Sequence, residues 1–331
     1  MPTHKSMKMN HFFELIEDLY EIFVISTGVS LDLFEVIAEN KQVTALQIAG
    51  IKGYDERMVR AWCDAAVACN YLKQDRDTYI LQRWTRSYLI KKSPTQIGFM
   101  FENKAIKMMM HPFLTKIKER LEGNHPDFEP EHVLAIPETI KHYAPLIIPI
   151  IRQTIPKFTE KCHVLDIGTG IGAYLMNFAE TNPNITGVGI DIQDLTIREA
   201  QKIAKGKGLD DRLKFIAMDA LKLELDEKFD IIFVSNMIQA LSFEQAGLLI
   251  KKIYPLLKDE GYIVILEILV NDDRISPKLG ALTNFYLKME MLNAGTFSLT
   301  DLNSFMKEAG FTNPIMNTQL VSQSYLIYTQ K

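Results

Sequence analysis

Residues 164–174 read VLDIGTGIGAY, an apolar strand pattern that leads into three glycines and then into an amphipathic helix. Because glycine lacks a side chain, the backbone of this loop can approach a ligand beside the helix N-terminus. The spacing of Gly168, Gly170 and Ala173 also satisfies the dinucleotide fingerprint G-x-G-x-x-G/A. Taken alone, the loop therefore fits a nicotinamide or flavin nucleotide as well as other nucleoside ligands.

Carboxylates follow three successive predicted strands and narrow this choice. Asp166 lies two residues before the first glycine, where it would repel a diphosphate and attract a cationic group. Asp191 ends the next strand, 21 residues after Gly170, and can accept hydrogen bonds from both ribose hydroxyls. Asp219 ends the third strand, where it can accept from an adenine amino group while the N–H of Ala220 faces the ring. The set predicts an adenosine site without a diphosphate.

Strands rich in Ile and Val alternate with helices from about residue 160 onward, ending in a strand pair near 313–316 and 324–329. This alternation predicts a mostly parallel sheet covered by helices on both faces, which is a Rossmann-like α/β fold. The predicted catalytic domain spans residues 159–331.

The first 95 residues have a different, mainly helical pattern. Apolar periodicity predicts helices over 12–25 and 31–38, and Thr44 and Asp55 are expected to cap two more. Two short strands, 71–73 and 79–81, flank a polar turn. This order predicts a winged-helix-like domain over residues 1–95. Residues 96–158 form a predicted helical linker that lines a substrate cleft.

Composition and charge exclude several classes of protein. The chain has 331 residues, 47% of them hydrophobic and 24% charged, with a net charge of −4, which is ordinary for a cored protein and excludes disorder. Residues 1–100 carry 12 basic and 12 acidic side chains, so nucleic acid is not an expected partner despite the winged-helix order. No stretch predicts a membrane span or a signal peptide. Cys63, Cys69 and Cys162 lack metal-ligand spacing, so no metal site and a cytoplasmic location are expected.

Five blocks carry a resemblance to a known family: VLDIGTGIG, GVGIDI, FIAMDA, FDIIFVSNMIQAL and LLKDEGYIVILEIL, in this order. They resemble the class I S-adenosylmethionine-dependent methyltransferases. With the helical first part, the chain is similar over nearly its whole length to small-molecule O-methyltransferases of the caffeic-acid and hydroxyindole type. The resemblance implies a seven-stranded sheet, S-adenosyl-L-methionine as cofactor, S-adenosyl-L-homocysteine as product, and a homodimer formed through the N-terminal domain.

The resemblance also implies which residues bind the cofactor. Asp166 and the glycine loop would hold the methionine end, Asp191 the ribose, and Asp219 with Ala220 the adenine. A helix around 140–143 would close over the site. The expected cofactor-binding residues are Asp166, Gly168, Thr169, Gly170, Gly172, Asp191, Ile192, Asp219, Ala220, Ser235, Asn236 and Tyr143.

One position departs from the family pattern. The family usually has a histidine after the fourth strand, which takes the proton of the acceptor hydroxyl, whereas this chain has Gln239 there. An amide is no base near neutral pH and can only orient an acceptor. Glu267 occupies the place of a carboxylate that would orient the histidine, so Gln239 and Glu267 are the candidate catalytic residues. His111, His142 and Tyr143 are substitute bases to consider.

The acceptor side of the predicted cleft is rich in Met and Phe. The stripe on a late helix, at 282, 285, 289 and 292, and the segment around 100–113 provide pliable apolar surface. The candidate substrate residues are Met108, His111, Phe285 and Met289.

The predicted function is therefore transfer of a methyl group from S-adenosylmethionine to a small, largely apolar acceptor, without a histidine base. Such an acceptor must be acidic, soft or already anionic. A non-methylating enzyme that keeps the cofactor, a winged-helix regulator that binds DNA, and a nicotinamide oxidoreductase are the alternatives.

Overall fold

The computed structural model describes residues 4–124, 132–291, 293–313, 315–320 and 324–331. The chain divides into two compact units, Met1–Met109 and Met110–Lys331. The three-segment division expected from the sequence stays a prediction.

The first unit has the predicted winged-helix order. Its elements are α1 (His4–Ser30), α2 (Leu33–Asn40), β1 (Val43–Thr44), α3 (Ala45–Lys52), α4 (Glu56–Ala68), β2 (Leu72–Asp75), β3 (Thr78–Leu81) and α5 (Arg83–Leu89), before α6 (Asn103–Thr115) leads out of it. The three strands form an antiparallel sheet in the order β1-β3-β2. Thr44 caps α3 in a capping box with Gln47, and Asp55 caps α4, as their side chains predict.

The first two helices differ in length from the prediction. Helix α1 extends to Ser30 rather than ending at 25, and α2 runs from Leu33 to Asn40. Asp32 separates the two helices because its backbone adopts a left-handed conformation with φ of 57°, which no right-handed helix can contain.

The second unit is the predicted α/β domain. After α7 (Ile117–Leu121) and α8 (His132–Thr154) come β4 (Cys162–Ile167), α9 (Ala173–Thr181), β5 (Ile185–Asp191), α10 (Asp194–Gly206), β6 (Leu213–Ala217), β7 (Phe229–Ser235), α11 (Phe243–Ile253), β8 (Leu257–Glu267), α12 (Lys278–Glu290), α13 (Leu299–Ala309), β9 (Met316–Gln319) and β10 (Tyr325–Gln330). In the described residues the sheet has seven strands in the order β6-β5-β4-β7-β8-β10-β9. Strands β4 to β8 pair in parallel, and β9 and β10 pair antiparallel.

The sheet of the second unit is buried on both faces. Along β4, Val164 belongs to one apolar cluster, whereas Leu165 and Ile167 belong to the cluster on the opposite face, and all three are fully buried. The chain passes from β4 to β5 on one side and later returns to β7 on the other. Strand order reverses at β4, so a crevice is expected at the carboxyl ends of β4 and β7.

Candidate active site

The loop after β4 has a conformation that only glycine allows at its first position. Gly168 has φ of 72°, and a Cβ built there would lie 2.5 Å from Cγ of Met237. The N–H groups of Gly168 and Thr169 both donate to the carbonyl oxygen of Ile190 at 2.9 Å. These bonds attach the loop to the end of β5 and hold it close to the loop after β7.

Two carboxylates lie beside this loop. Asp166 is buried and accepts a 2.6 Å hydrogen bond from Oγ1 of Thr169; burial raises its pKa to about 7, and the nearby charge of Asp191 adds to the shift. Asp191 accepts 2.9 Å bonds from the N–H groups of Gly170 and Gln193. Burial also raises the pKa of Asp191. Both carboxylates would be stabilised by a cation.

A cavity of about 270 Å³ opens between the loops that follow β4, β5 and β7. Seven expected cofactor residues line it: Asp166, Gly168, Thr169, Gly170, Asp191, Ser235 and Asn236. Ile140, from the segment expected to close over the site, also lines it. The carboxyl ends of three parallel strands therefore meet at one cavity, which explains why residues far apart in sequence lie together.

The remaining expected cofactor residues are not part of this cavity wall. Gly172 is the N-cap of α9, and Ile192 lies beside Asp191 with 67% of its surface exposed. Asp219 caps a short 3₁₀ turn by accepting the N–H of Leu221, and Ala220 is buried in that turn. Their contacts with an adenine stay a prediction.

Tyr143, also expected to bind the cofactor, lies on α8. Its hydroxyl is buried and has no hydrogen-bond partner within the described part of the chain. The hydroxyl is therefore a polar atom that a bound ligand could satisfy.

Several wall residues were not predicted from the sequence. They are Ile171, Ala173, Tyr174, Gln193, Thr196, Met237, Ala240 and Met291. Gln193 and Thr196 come two and five positions after Asp191, so the strand-end signal could have included them. Met291 follows α12, and no motif marks it.

Asn236, which follows β7, has an unusual backbone conformation. Its φ is 50°, and its N–H donates to the carbonyl oxygen of Leu266 at 2.9 Å. A left-handed conformation at a non-glycine residue costs free energy and is common at functional sites. It turns the chain away from the sheet and leads into the segment that contains Gln239.

The two candidate catalytic residues lie together. Gln239 is in a 3₁₀ turn, Ile238–Ala240, and its carbonyl oxygen accepts the N–H of Gly295 at 2.8 Å. Glu267 is 3% exposed, and its Oε1 accepts the N–H of Ile238 at 2.9 Å. Glu267 is thus neither solvated nor at a surface, and it holds the turn that carries Gln239.

The candidate substrate residues occupy different environments. Met289 is buried, whereas Phe285 is half-exposed and its ring lies 5.3 Å from that of Phe113. Arg120 is buried and its Nε donates to the carbonyl oxygen of Met289 at 2.8 Å, which attaches the end of α12 next to Met291.

Two of the proposed substrate positions cannot be placed against this helix. Met108 belongs to the first unit, so its relation to the cavity stays a prediction. Leu292, the last residue of the expected stripe, lies outside the described residues.

Two of the substitute bases, His111 and His142, are not among the residues that line the cavity. His111 lies on α6 beside Thr115, with Nε2 3.2 Å from Oγ1. His142 is exposed on α8.

Within the described ranges, no cluster of side chains could hold a metal ion, and no helix is long and apolar enough to cross a membrane.

Comparison with known proteins agrees with this geometry. Residues 158–310 match a family model described as a methyltransferase domain, and residues 22–90 match an Rv2258c-like winged helix-turn-helix domain. The carboxy-S-adenosyl-L-methionine synthase of Nautilia profundicola is 29% identical over 118 residues, which cover 35% of this chain and 48% of that protein. The matched region thus spans about half the length of that relative.

Solved structures share the fold over the whole chain. A candidate O-methyltransferase of Nostoc punctiforme has a TM-score of 0.83 at 21% identity, with complete coverage of both chains. Human N-acetylserotonin methyltransferase, solved with S-adenosylmethionine, has a TM-score of 0.77 at 16% identity and covers 100% of this chain and 99% of its own. The chain therefore carries a winged helix-turn-helix domain followed, at residues 158–310, by a methyltransferase domain.

Proposed function

We propose that this protein transfers a methyl group from S-adenosylmethionine to a small, largely apolar acceptor. The observation that carries the proposal is the cavity at the ends of β4, β5 and β7, in which a buried carboxylate, Asp166, and a partly buried one, Asp191, flank a glycine loop. When bound, the cofactor supplies a methyl group already activated by a sulfonium charge.

The loop suits this cofactor better than a dinucleotide. The N–H groups of Gly168 and Thr169 are bonded to Ile190, and that of Gly170 is bonded to Asp191. These donors are thus already occupied, whereas a diphosphate needs free N–H groups at this place. An ammonium group beside Asp166 would offset the cost of burying that carboxylate. The occupied N–H groups and the buried carboxylate therefore fit a nucleoside that carries a positively charged amino-acid group.

The chain itself would bind and orient both reactants. Asp191 can accept hydrogen bonds from ribose hydroxyls, because each carboxylate oxygen has a second lone pair beyond the one used by the backbone. Ile140, Met237 and Met291 supply apolar surface on the cavity wall, which excludes water from a reaction that consumes charge. The acceptor is expected to be planar or otherwise largely apolar.

Calorimetry with the full chain tests the cofactor assignment. Asp191→Ala should weaken S-adenosylmethionine binding by about 1.5 to 3 kcal/mol, because a charged hydrogen-bond acceptor is lost. Asp210→Asn removes the same charge from an exposed surface residue. It is the matched control and should bind S-adenosylmethionine like the parent. Unchanged affinity in Asp191→Ala, or tighter binding of NAD than of S-adenosylmethionine by the parent, contradicts the assignment.

We also propose that the protein is a homodimer formed through the first unit. Helix α1 exposes a series of large apolar side chains: Phe12, Phe13, Leu15, Ile16, Leu19, Tyr20 and Phe23. A contiguous apolar surface of this kind marks an interface. A cytoplasmic setting agrees with three cysteines that are all free thiols.

A second candidate is a non-methylating reaction that uses the same cofactor. Gln239 stands where a base is expected, and the matched relative from Nautilia profundicola is named as a synthase. Release of S-adenosylhomocysteine in step with a product heavier by one methylene separates the two functions. Consumption of cofactor without that product favours the second candidate.

A further inference from the structure

We infer that Glu267 is a neutral carboxylic acid whose Oε2–H donates to Oε1 of Gln239, so that the amide NH2 of Gln239 binds an acceptor that is already an anion. This inference rests on the proposed function and names its acceptor class. It assigns Glu267 as a positioning residue and Gln239 as the group that contacts the acceptor.

The first observation is the environment of Glu267. Its Oε1 accepts the N–H of Ile238, whereas its Oε2 is buried and has no hydrogen-bond partner within the residues that the structure describes. A buried carboxylate oxygen without a donor is costly, and protonation removes that cost. Burial raises the pKa of Glu267 to about 8, although backbone N–H groups of residues 237–239 lower it.

Charged side chains do not account for the raised pKa of Glu267. Burial and the three backbone N–H groups are the causes of its shift, and none of them is a charged side chain. Residue 267 ends β8, and the turn that carries residues 237–239 covers its carboxyl group. A neutral acid therefore fits this place without any counter-ion.

The second observation is the orientation of Gln239. Its Oε1 is buried and has no partner within the described ranges, whereas its Nε2 is not among the buried unpaired atoms. Two buried oxygens thus lack a donor, one on Gln239 in the turn and one on Glu267, the β8 residue that accepts the N–H of Ile238 next to Gln239. A proton on Glu267 satisfies both oxygens with one hydrogen bond.

The protonation state determines which end of the amide faces the acceptor. A neutral Glu267 donates to the amide oxygen, which leaves the NH2 group outward. An ionised Glu267 would instead accept from the NH2 group and turn the oxygen outward. Met237 and Ala240, two positions before and one position after Gln239, line the cavity. An outward NH2 group there stabilises an anion, because it can donate but cannot accept.

The reaction then needs no base. The acceptor is a phenolate or a similarly stabilised oxygen anion, ionised before it binds. Its lone pair forms the O–CH₃ bond while the S–CH₃ bond breaks and the bonding pair stays on sulfur. The negative charge of the acceptor and the positive charge of the sulfonium cancel, and no proton has to leave.

Infrared difference spectroscopy tests the proton directly and needs no acceptor. The parent minus Glu267→Gln spectrum of the full chain at pH 7 should contain the C=O band of a protonated carboxylic acid. That band should convert to a carboxylate band as the pH rises above about 8. Glu224→Gln, at an exposed position, should give only the carboxylate band. A carboxylate band from Glu267 at pH 7 overturns the inference.

Turnover in the variants tests the positioning role. Glu267→Ala should lower kcat/KM by about 10- to 100-fold, the cost of leaving a buried polar group unsatisfied. Glu267→Gln should restore most of this loss, because its amide NH2 can donate to Oε1 of Gln239 as the acid does. We expect the rate of the parent to fall above about pH 8, where Glu267 ionises, and the rate of Glu267→Gln not to fall there. If Glu267→Gln is as impaired as Glu267→Ala while calorimetry shows intact cofactor binding, a charge is required and the inference fails.

Two phenols of similar size test the acceptor class. The parent should methylate 4-nitrophenol, whose hydroxyl ionises near neutral pH, and should not methylate 4-methylphenol. Gln239→Leu should raise KM for 4-nitrophenol without weakening cofactor binding. Transfer to 4-methylphenol, or to neither phenol, by an enzyme that binds S-adenosylmethionine overturns the anionic acceptor class. Absent cofactor binding would instead contradict the proposed function.

Discussion

Two buried acids make stability depend on pH in an unusual direction. Burial raises the pKa of Asp166 to about 7 and that of Glu267 to about 8, from ordinary values of 3.8 and 4.5. Between the ordinary and the raised values, the folded chain keeps protons that the unfolded chain has lost. The free energy of unfolding should therefore fall as the pH rises from about 4.5 to 8 and should then be insensitive to these groups.

Urea unfolding at pH 5 and pH 8 measures this effect. Glu267→Gln should lose less stability between the two pH values than the parent, by about 1.4 kcal/mol for each unit of pKa difference removed. Glu224→Gln serves as the control and should follow the parent. An identical pH dependence in Glu267→Gln and the parent would show that Glu267 titrates normally.

Gln239 offers a direct test of whether a base can be supplied. Gln239→His should fold, since the two side chains are of similar bulk, and would place a group with an ordinary pKa of about 6.5 beside the acceptor. Transfer to an un-ionised phenol should rise, by part of the 10²- to 10⁴-fold that a positioned base contributes. The rate of methyl transfer to 4-methylphenol, assayed across pH 6 to 9, measures this rise. A variant that folds, binds cofactor and gains nothing argues for a non-oxygen acceptor or a non-methylating reaction.

At the residue scale, the place of a site residue could be predicted from the sequence where the direction of its strand fixes that place. Asp191 is the last residue of β5 and Asp166 the last but one of β4, so both had to lie near the carboxyl edge of the sheet. The burial of Glu267 could not be predicted in this way, because it depends on a turn whose Asn236 has a left-handed backbone. Met291 lines the cavity only through the packing of α12.

At the element scale, helix α1 exposes large apolar side chains that we expect a partner to cover. Phe12, Phe13 and Tyr20 each expose more than half of their surface, and water contact with so much apolar area is unfavourable. A second copy of the same helix face would remove it. We therefore expect Phe13→Lys combined with Tyr20→Lys to convert a dimer into a monomer.

Light scattering at micromolar concentration measures the effect of these changes. Lys73→Glu, on an exposed position of β2, is the control and should leave the dimer intact. A parent protein that is itself monomeric at this concentration rejects the proposed assembly.

Boundaries of elements were predicted best where a side chain sets them. Thr44 and Asp55 cap α3 and α4 through their own oxygens, so a local signal was present. The end of α1 was missed by five residues and the start of α2 by two, because the break at Asp32 comes from backbone conformation rather than from a breaking residue. Apolar periodicity continues across this break.

At the scale of the whole molecule, charge distinguishes a winged helix that packs from one that binds DNA. Residues 1–100 have equal numbers of acidic and basic side chains, and α4 carries Glu56 and Asp64 as well as Arg57 and Arg60. Without a net positive surface there is little counterion release to drive binding. Random duplex DNA should therefore not be shifted in a gel at sub-micromolar protein and physiological salt. A clear shift would revive the regulator hypothesis.

The bonds of the glycine loop to β5 also determine how the cavity receives its ligand. The N–H groups of Gly168, Thr169 and Gly170 already have intramolecular acceptors, so the backbone of this loop has little conformational entropy left to lose when a ligand arrives. Its amide hydrogens should exchange slowly with deuterium in the ligand-free protein and slow little further when S-adenosylmethionine is added. Association should then be fast and close to a rigid-body encounter, and the lifetime of the complex, rather than its rate of formation, should differ among variants of the site.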